Sequence, residues 1–135
     1  MYLLDTNILS ELMKRHPNHG LVTRLRLIAP DELFTSVICV LELRFGSALR
    51  PDFPAFWAKI EREIISRVTV IPFGNEEAIV AGDILSELKK KGRKIGLEDV
   101  MIGATAMANR LIVVTANIRH FSQIEGLRVE NWLAI

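Results

Sequence analysis

The chain has 135 residues, half of them hydrophobic, which is one domain's length with enough apolar matter for a core. Lys and Arg number 17 against 16 Asp and Glu, and a net charge of +1 excludes a globally basic nucleic-acid binder, so any affinity for phosphate must come from local patches. The single cysteine excludes an internal disulfide, and the absence of both a leader pattern and an uninterrupted apolar run of about 18 residues points to a soluble, cytoplasmic protein.

Residues 2–5 read as a short buried strand that Asp5 ends. A helix follows through Asn7 and Met13, with Thr6 as its cap, until His16, Pro17 and Asn18 break it. Leu21, Val22, Leu25 and Ile28 recur at helical spacing, and Pro30 and Asp31 end that helix before a strand at Leu33, Phe34 and Thr35. Ser36 caps a helix running through Glu42 to Ala48. After Pro51 and Pro54 the pattern predicts a helix around Phe56 to Ile65, a strand over 68–71, and a long helix from Glu76 to about Lys91, which lysines and Gly92 close. A helix from Glu98 to about Arg110 leads into a fourth strand over 112–115, and a fifth near Arg128 and Val129 completes an edge. No repeat, linker or low-complexity segment divides residues 1–135, so one domain is expected.

Strands alternating with helices predict a parallel sheet covered on both faces. Ligands of such sheets sit beyond the strand carboxyl ends, where the winding direction reverses. If the first and fourth strands are neighbours there, Asp5 and Asn117 face one crevice, which Asp99 and Glu42 reach from their helices. Asp5, Glu42 and Asp99 each stand where an apolar run would continue, and a carboxylate beside a core is expensive unless it is paired or binds a cation. A hard divalent metal relieves the repulsion of three carboxylates, and it can activate water and stabilise charge on a phosphodiester.

Four segments carry a resemblance: Leu4-Asp5-Thr6-Asn7-Ile8, Leu41-Glu42-Leu43-Arg44-Phe45-Gly46, residues 98–106 around Asp99, and Val114-Thr115-Ala116-Asn117 followed by His120-Phe121. In this order and at these distances the chain resembles the PIN-domain ribonucleases, in particular the VapC and FitB-like toxins of toxin–antitoxin pairs. The resemblance covers essentially the whole chain, to Trp132. It implies a three-layer α/β/α fold with a central parallel sheet of four to five strands. It also implies an acidic pocket of Asp5, Glu42 and Asp99 that binds Mg²⁺, or Mn²⁺ in its place, and cleaves RNA. Asn117 matches the place where many members carry a fourth acid; its amide removes one negative charge. By the same resemblance the partners are an RNA substrate, a homodimer mate and a small antitoxin. The antitoxin would fill apolar grooves, reach into the acidic pocket and bind operator DNA through its own domain.

Each residue has a plainer role beside this one. Asp5 fits a helix cap, Glu42 a partner for Arg44 or Arg50, Asp99 a helix start favoured by the dipole, and Asn117 a turn residue. Thr6 and Thr115 offer hydroxyls to orient ligands or water. His16, His19 and His120 read as loop and surface residues, and Trp57 and Trp132 as core or interface anchors. Cys39, inside a hydrophobic run, reads as an inert buried thiol. Lys89, Lys90, Lys91, Arg93 and Lys94 form a solvated helix end that, with Lys14, Arg15 and Arg44, could also line the approach for RNA. The alternative function is a PIN-like module that binds protein or nucleic acid without cutting. A phosphate loop and a dinucleotide-binding glycine turn are both absent.

Overall fold

The structure, a computed structural model, describes residues 1–133. Five short strands carry the sheet: β1 (Tyr2–Leu4), β2 (Leu33–Ser36), β3 (Thr69–Ile71), β4 (Ile112–Val114) and β5 (Val129–Glu130). Between them run α1 (Thr6–Leu12), α2 (His19–Arg26), α3 (Val37–Ala48), α4 (Phe53–Glu63), α5 (Asn75–Lys90), α6 (Leu97–Ala108) and α7 (Ile118–Phe121). The order is β3-β2-β1-β4-β5 and every pair is parallel, as the α/β/α fold that the resemblance implies requires. Parallel strands buried on both sides need apolar residues at successive positions, and Leu3, Leu4, Val113 and Val114 have almost no exposure.

The winding reverses between β1 and β4. The first two crossovers carry the chain from β1 outward to β2 and β3; the chain then returns to the other side of β1 for β4 and β5. Leu4 pairs with Val114, and the ladder continues past both strand ends through Asp5 N–H to Val114 O at 3.0 Å and Thr115 N–H to Glu130 O at 3.0 Å. The carboxyl ends of β1 and β4 therefore open side by side into the crevice.

Some details differ from expectation. Asp5, not Thr6, caps α1: its backbone is extended (φ −74°, ψ 162°) and its Oδ1 accepts the Thr6 N–H at 2.8 Å, so Thr6 is the first helical residue. Helix α4 starts at Phe53, with Pro54 inside its first turn, where a missing N–H breaks no helical hydrogen bond. The single-turn α7 follows Asn117 and was not foreseen, because four residues carry no periodic signal.

Gly103 sets how deeply α6 seats. A Cβ there would lie 2.7 Å from Ile124 Cδ1, 3.4 Å from Leu127 Cδ2 and 3.8 Å from Phe121 Cδ1, so a side chain at this position would require Ile124 to shift where α6 packs on the segment after α7. Asp99 stands one turn earlier on α6, and this packing brings it beside α7. Trp132 is buried as an anchor. Its Nε1 donates to Glu130 Oε1 at 2.8 Å, and its ring lies edge-on to Tyr2 under the Arg24 guanidinium.

Candidate active site

A cleft of about 560 Å³ opens at the reversal point, and Asp5, Glu42, Asp99 and Asn117 all line it, with Thr6, Asn7, Lys14 and others. Its deepest member is Asp5, only 3% exposed. Thr115 Oγ donates to Asp5 Oδ2 at 2.8 Å and Asn7 Nδ2 to the same oxygen at 3.2 Å, while Oδ1 takes the Thr6 N–H. Asn7 Oδ1 accepts the Ala116 N–H at 3.1 Å, so this one side chain ties the end of β1 to the end of β4. Sequence reasoning gave Asn7 no role. Its place two residues after a strand-ending Asp was the available signal.

Burial pushes the Asp5 carboxyl up to about 6, because the charged form loses water there. The hydrogen bonds from Thr115 and Thr6 pull it back down, and the charges of Asp99 and Glu42 add to the rise. Asp5 is thus both a helix cap and an acid at the floor of the cleft.

Glu42 stands in the second turn of α3 and pairs with neither Arg44 nor Arg50. Its Oε1 accepts the Thr6 hydroxyl at 2.6 Å. Arg44 lies over the rings of Phe53 and Trp57, and Arg50 is held by Asp52 at 2.9 and 3.1 Å. Thr6 and Thr115, expected to orient ligands through their hydroxyls, each hold one carboxylate of the cleft.

Asp99, in the first turn of α6, reaches the cleft beside His120, whose Nδ1 lies 3.0 Å from Asp99 Oδ2 and 3.3 Å from Asn117 Nδ2. His120 was expected to be a plain surface residue; half-exposed, it nonetheless braces Asp99. The signal was its position three residues after Asn117, which puts both on one side of the α7 turn. Asn117 is the residue before α7. Its N–H donates to Thr115 Oγ at 2.9 Å and its side-chain amide faces His120. His16 and His19 are exposed, as expected.

The donor set suits a hard cation. Single ligand-capable atoms of Asp5, Glu42 and Cys39 lie within 4.8 Å of one another, with Asp99 farther out on the same cleft. Of these, Cys39 is the poor ligand: burial raises its thiol to about 11, so it stays protonated, and sulfur is soft where the others are oxygen. A metal here would be held by carboxylate oxygens, and its positive charge would favour the ionised form of Asp5 that burial disfavours.

The basic residues divide. Lys14 lines the cleft while bonded to Glu11 at 2.8 Å, and Arg15 lies in an adjoining groove. Lys90 and Lys91 pair instead with Glu87 and Glu125, away from the cleft. No helix among the described residues is long and apolar enough to cross a membrane.

A PIN-domain family model matches residues 2–127. The chain is 35% identical over 132 residues to ribonuclease VapC2 of Haemophilus influenzae, covering 98% of both chains, and 34% identical to the tRNA(fMet)-specific endonuclease VapC of Salmonella typhimurium, covering 97% of both. Among solved structures it is similar to DNA-bound VapBC from Salmonella typhimurium, with a TM-score of 0.90 at 34% identity and 97% coverage of each chain. Strand order, the acidic cleft at the winding reversal and likeness along nearly the whole length agree: the chain belongs to the PIN-domain family and, within it, to the VapC ribonucleases.

Proposed function

We propose that residues 1–135 act as one catalytic unit, a metal-dependent endoribonuclease that is the toxin of a toxin–antitoxin pair. The observation that carries this reading is the convergence of Asp5, Glu42, Asp99 and Asn117 on one cleft, with Asp5 buried so far that its charged form is disfavoured unless a cation is near. Asp5, Glu42 and Asp99 would hold Mg²⁺, with Mn²⁺ able to substitute. When bound, the ion would polarise water and the scissile phosphate for hydrolysis of the RNA phosphodiester.

The chain's own residues prepare that chemistry. Thr115, Asn7 and the Thr6 N–H fix both oxygens of Asp5, and the Thr6 hydroxyl fixes Glu42, so neither carboxylate must reorganise when charge arrives. His120 restrains Asp99. The Asn117 amide offers an oxygen for water or substrate without adding a fourth charge.

The partners follow from relatives solved as VapBC complexes, among them one bound to promoter DNA. An antitoxin segment would occupy the apolar groove of about 780 Å³ lined by Leu9, Leu12, Leu25, Ile28, Ile64 and Val68, while its own domain binds operator DNA. A homodimer would use α3, where Leu41, Phe45 and Leu49 stand exposed at four-residue spacing.

Cleavage of single-stranded and structured RNA by purified protein, with Mg²⁺, Mn²⁺ or EDTA, tests the reading. Wild type should cut only with metal, and Asp5→Ala and Asp99→Ala should not cut. Equal residual cutting in every sample would mark contamination and favour a non-cleaving module.

A further inference from the structure

A second groove, of about 860 Å³, runs from the acidic cleft along the faces of α3 and α4 and shares Thr6, Ser10, Lys14 and Glu42 with it. Its character is different. Beyond the shared edge the wall carries Arg15, Arg50 and Lys59 against one further acid, Asp52, whose charge Arg50 already takes up. Arg15 makes no ion pair among the described residues, and Lys59 has only a 4.0 Å approach to Glu63.

Two details make this more than a patch of positive charge. Ser47, on the groove wall and 2% exposed, has the one buried side-chain oxygen without a hydrogen-bond partner among the described residues. An unsatisfied buried hydroxyl is costly, and a ligand oxygen or nitrogen in the groove would satisfy it. The Arg50 guanidinium lies 3.6 Å from the Phe56 ring centre while Asp52 fixes its plane with two hydrogen bonds. A planar cation held in this way on an aromatic ring is a surface on which a nucleobase stacks.

We infer that this groove between the end of α1, α3 and α4 is an RNA subsite that receives the strand on one side of the cut. Arg15 and Lys59 meet backbone phosphates, Ser47 meets a sugar or base oxygen, and the Arg50–Phe56 pair carries a base. The inference rests on the ribonuclease reading for its substrate, and the charge change along the path supports it: acids where the metal is needed, cations where phosphates lie without it. Gly46 keeps the groove open. A Cβ built on it meets no atom within 4 Å, so a longer side chain there fills groove space without disturbing the fold, and it replaces a helix-weakening glycine inside α3.

The test is binding of a fluorescein-labelled oligouridylate by the full chain in EDTA, followed by anisotropy across a salt series, with cleavage of the same RNA in Mg²⁺ measured in parallel. The double variant Arg15→Glu/Lys59→Glu should bind at least about tenfold more weakly, and the slope of log K against log salt should fall by about 1.4, at about 0.7 for each single-strand phosphate that is no longer neutralised. Gly46→Gln should weaken binding with the slope unchanged and thermal stability retained or raised. Lys90→Glu, on the far end of α5, should leave both alone. Wild-type affinity and slope in the double variant and in Gly46→Gln would overturn the inference, including the case in which the same variants lose a protein partner instead. Wild type that binds RNA but never cuts it would refute the ribonuclease reading while leaving the groove to be judged by its binding.

Discussion

The acidic cleft has two unlike halves. On one side Asp5 is 3% exposed, capped into α1 and held by three hydrogen bonds from the ends of β1 and β4. On the other, Asp99 has a side chain 21% exposed and is braced only by His120, itself 49% exposed, from the single-turn α7. The first half is part of the fold's framework and carries a charge the fold resists. The second half is peripheral, so its carboxylate can be altered with little consequence for stability.

The largest effects should separate these roles. Asp5→Ala and Asp99→Ala should each lower RNA cleavage by about a thousandfold, or about 4 kcal/mol of transition-state stabilisation. Only Asp5→Ala should also destabilise the protein, by about 2 kcal/mol in urea unfolding at about pH 4, where the wild-type carboxyl is protonated in the folded state, through the missing cap and the stranded Thr115 hydroxyl. Asp99→Ala should stay within about 0.5 kcal/mol of wild type. An Asp99→Ala that unfolds as readily as Asp5→Ala would erase the distinction.

The pH dependence sharpens it. Because the folded Asp5 carboxyl titrates at about 6 rather than 3.8, the native state holds a proton that the unfolded chain has already released. The contribution to stability is therefore complete below about pH 4 and is lost as pH rises through about 6. At about 1.4 kcal/mol per pH unit of displacement, metal-free protein should lose up to about 3 kcal/mol over that window. Added Mg²⁺ or Mn²⁺ should flatten the loss, since the cation takes the place of the proton. Cleavage should rise over the same window, and an unfolding series that is flat in EDTA would contradict a desolvated Asp5.

Smaller changes probe the braces. His120→Ala should reduce cleavage by about tenfold without a change in the unfolding midpoint, as expected when a group that orients a ligand is removed from the surface. Thr115→Val removes the hydrogen bond that most strongly opposes the burial of Asp5. Its pH profile for cleavage should move to higher pH, by less than about one unit. A shift to lower pH would mean that Thr115 does not stabilise the charged form.

Much of this was legible in one sequence. The alternation of strands and helices and the parallel sheet followed from periodicity, whereas the pairing of β1 with β4 entered only as a condition that the structure meets. That condition, together with the motifs of the family resemblance, put Asp5, Glu42, Asp99 and Asn117 in one crevice, which all four line. What escaped notice was short or relational. The α7 turn has too few residues for a period, and so His120 had no visible neighbour. Thr6 could be named as a cap because Thr and Asp both cap well, and only the backbone at residue 5 distinguishes them. The basic residues could be counted but not sorted, and the fold sent Arg44 to Phe53 and Trp57 and left Arg15 beside the groove.

The sequence by itself determined which residues are apolar at which spacing, and hence the elements, their alternation and the places where a carboxylate interrupts a core. Tertiary structure alone decided which of those carboxylates lost its water, which side chains closed around it and where the cations came to rest. Those quantities depend on burial and on distances between segments more than a hundred residues apart, such as the 2.8 Å from Thr115 to Asp5. Local pattern carries no information at that range.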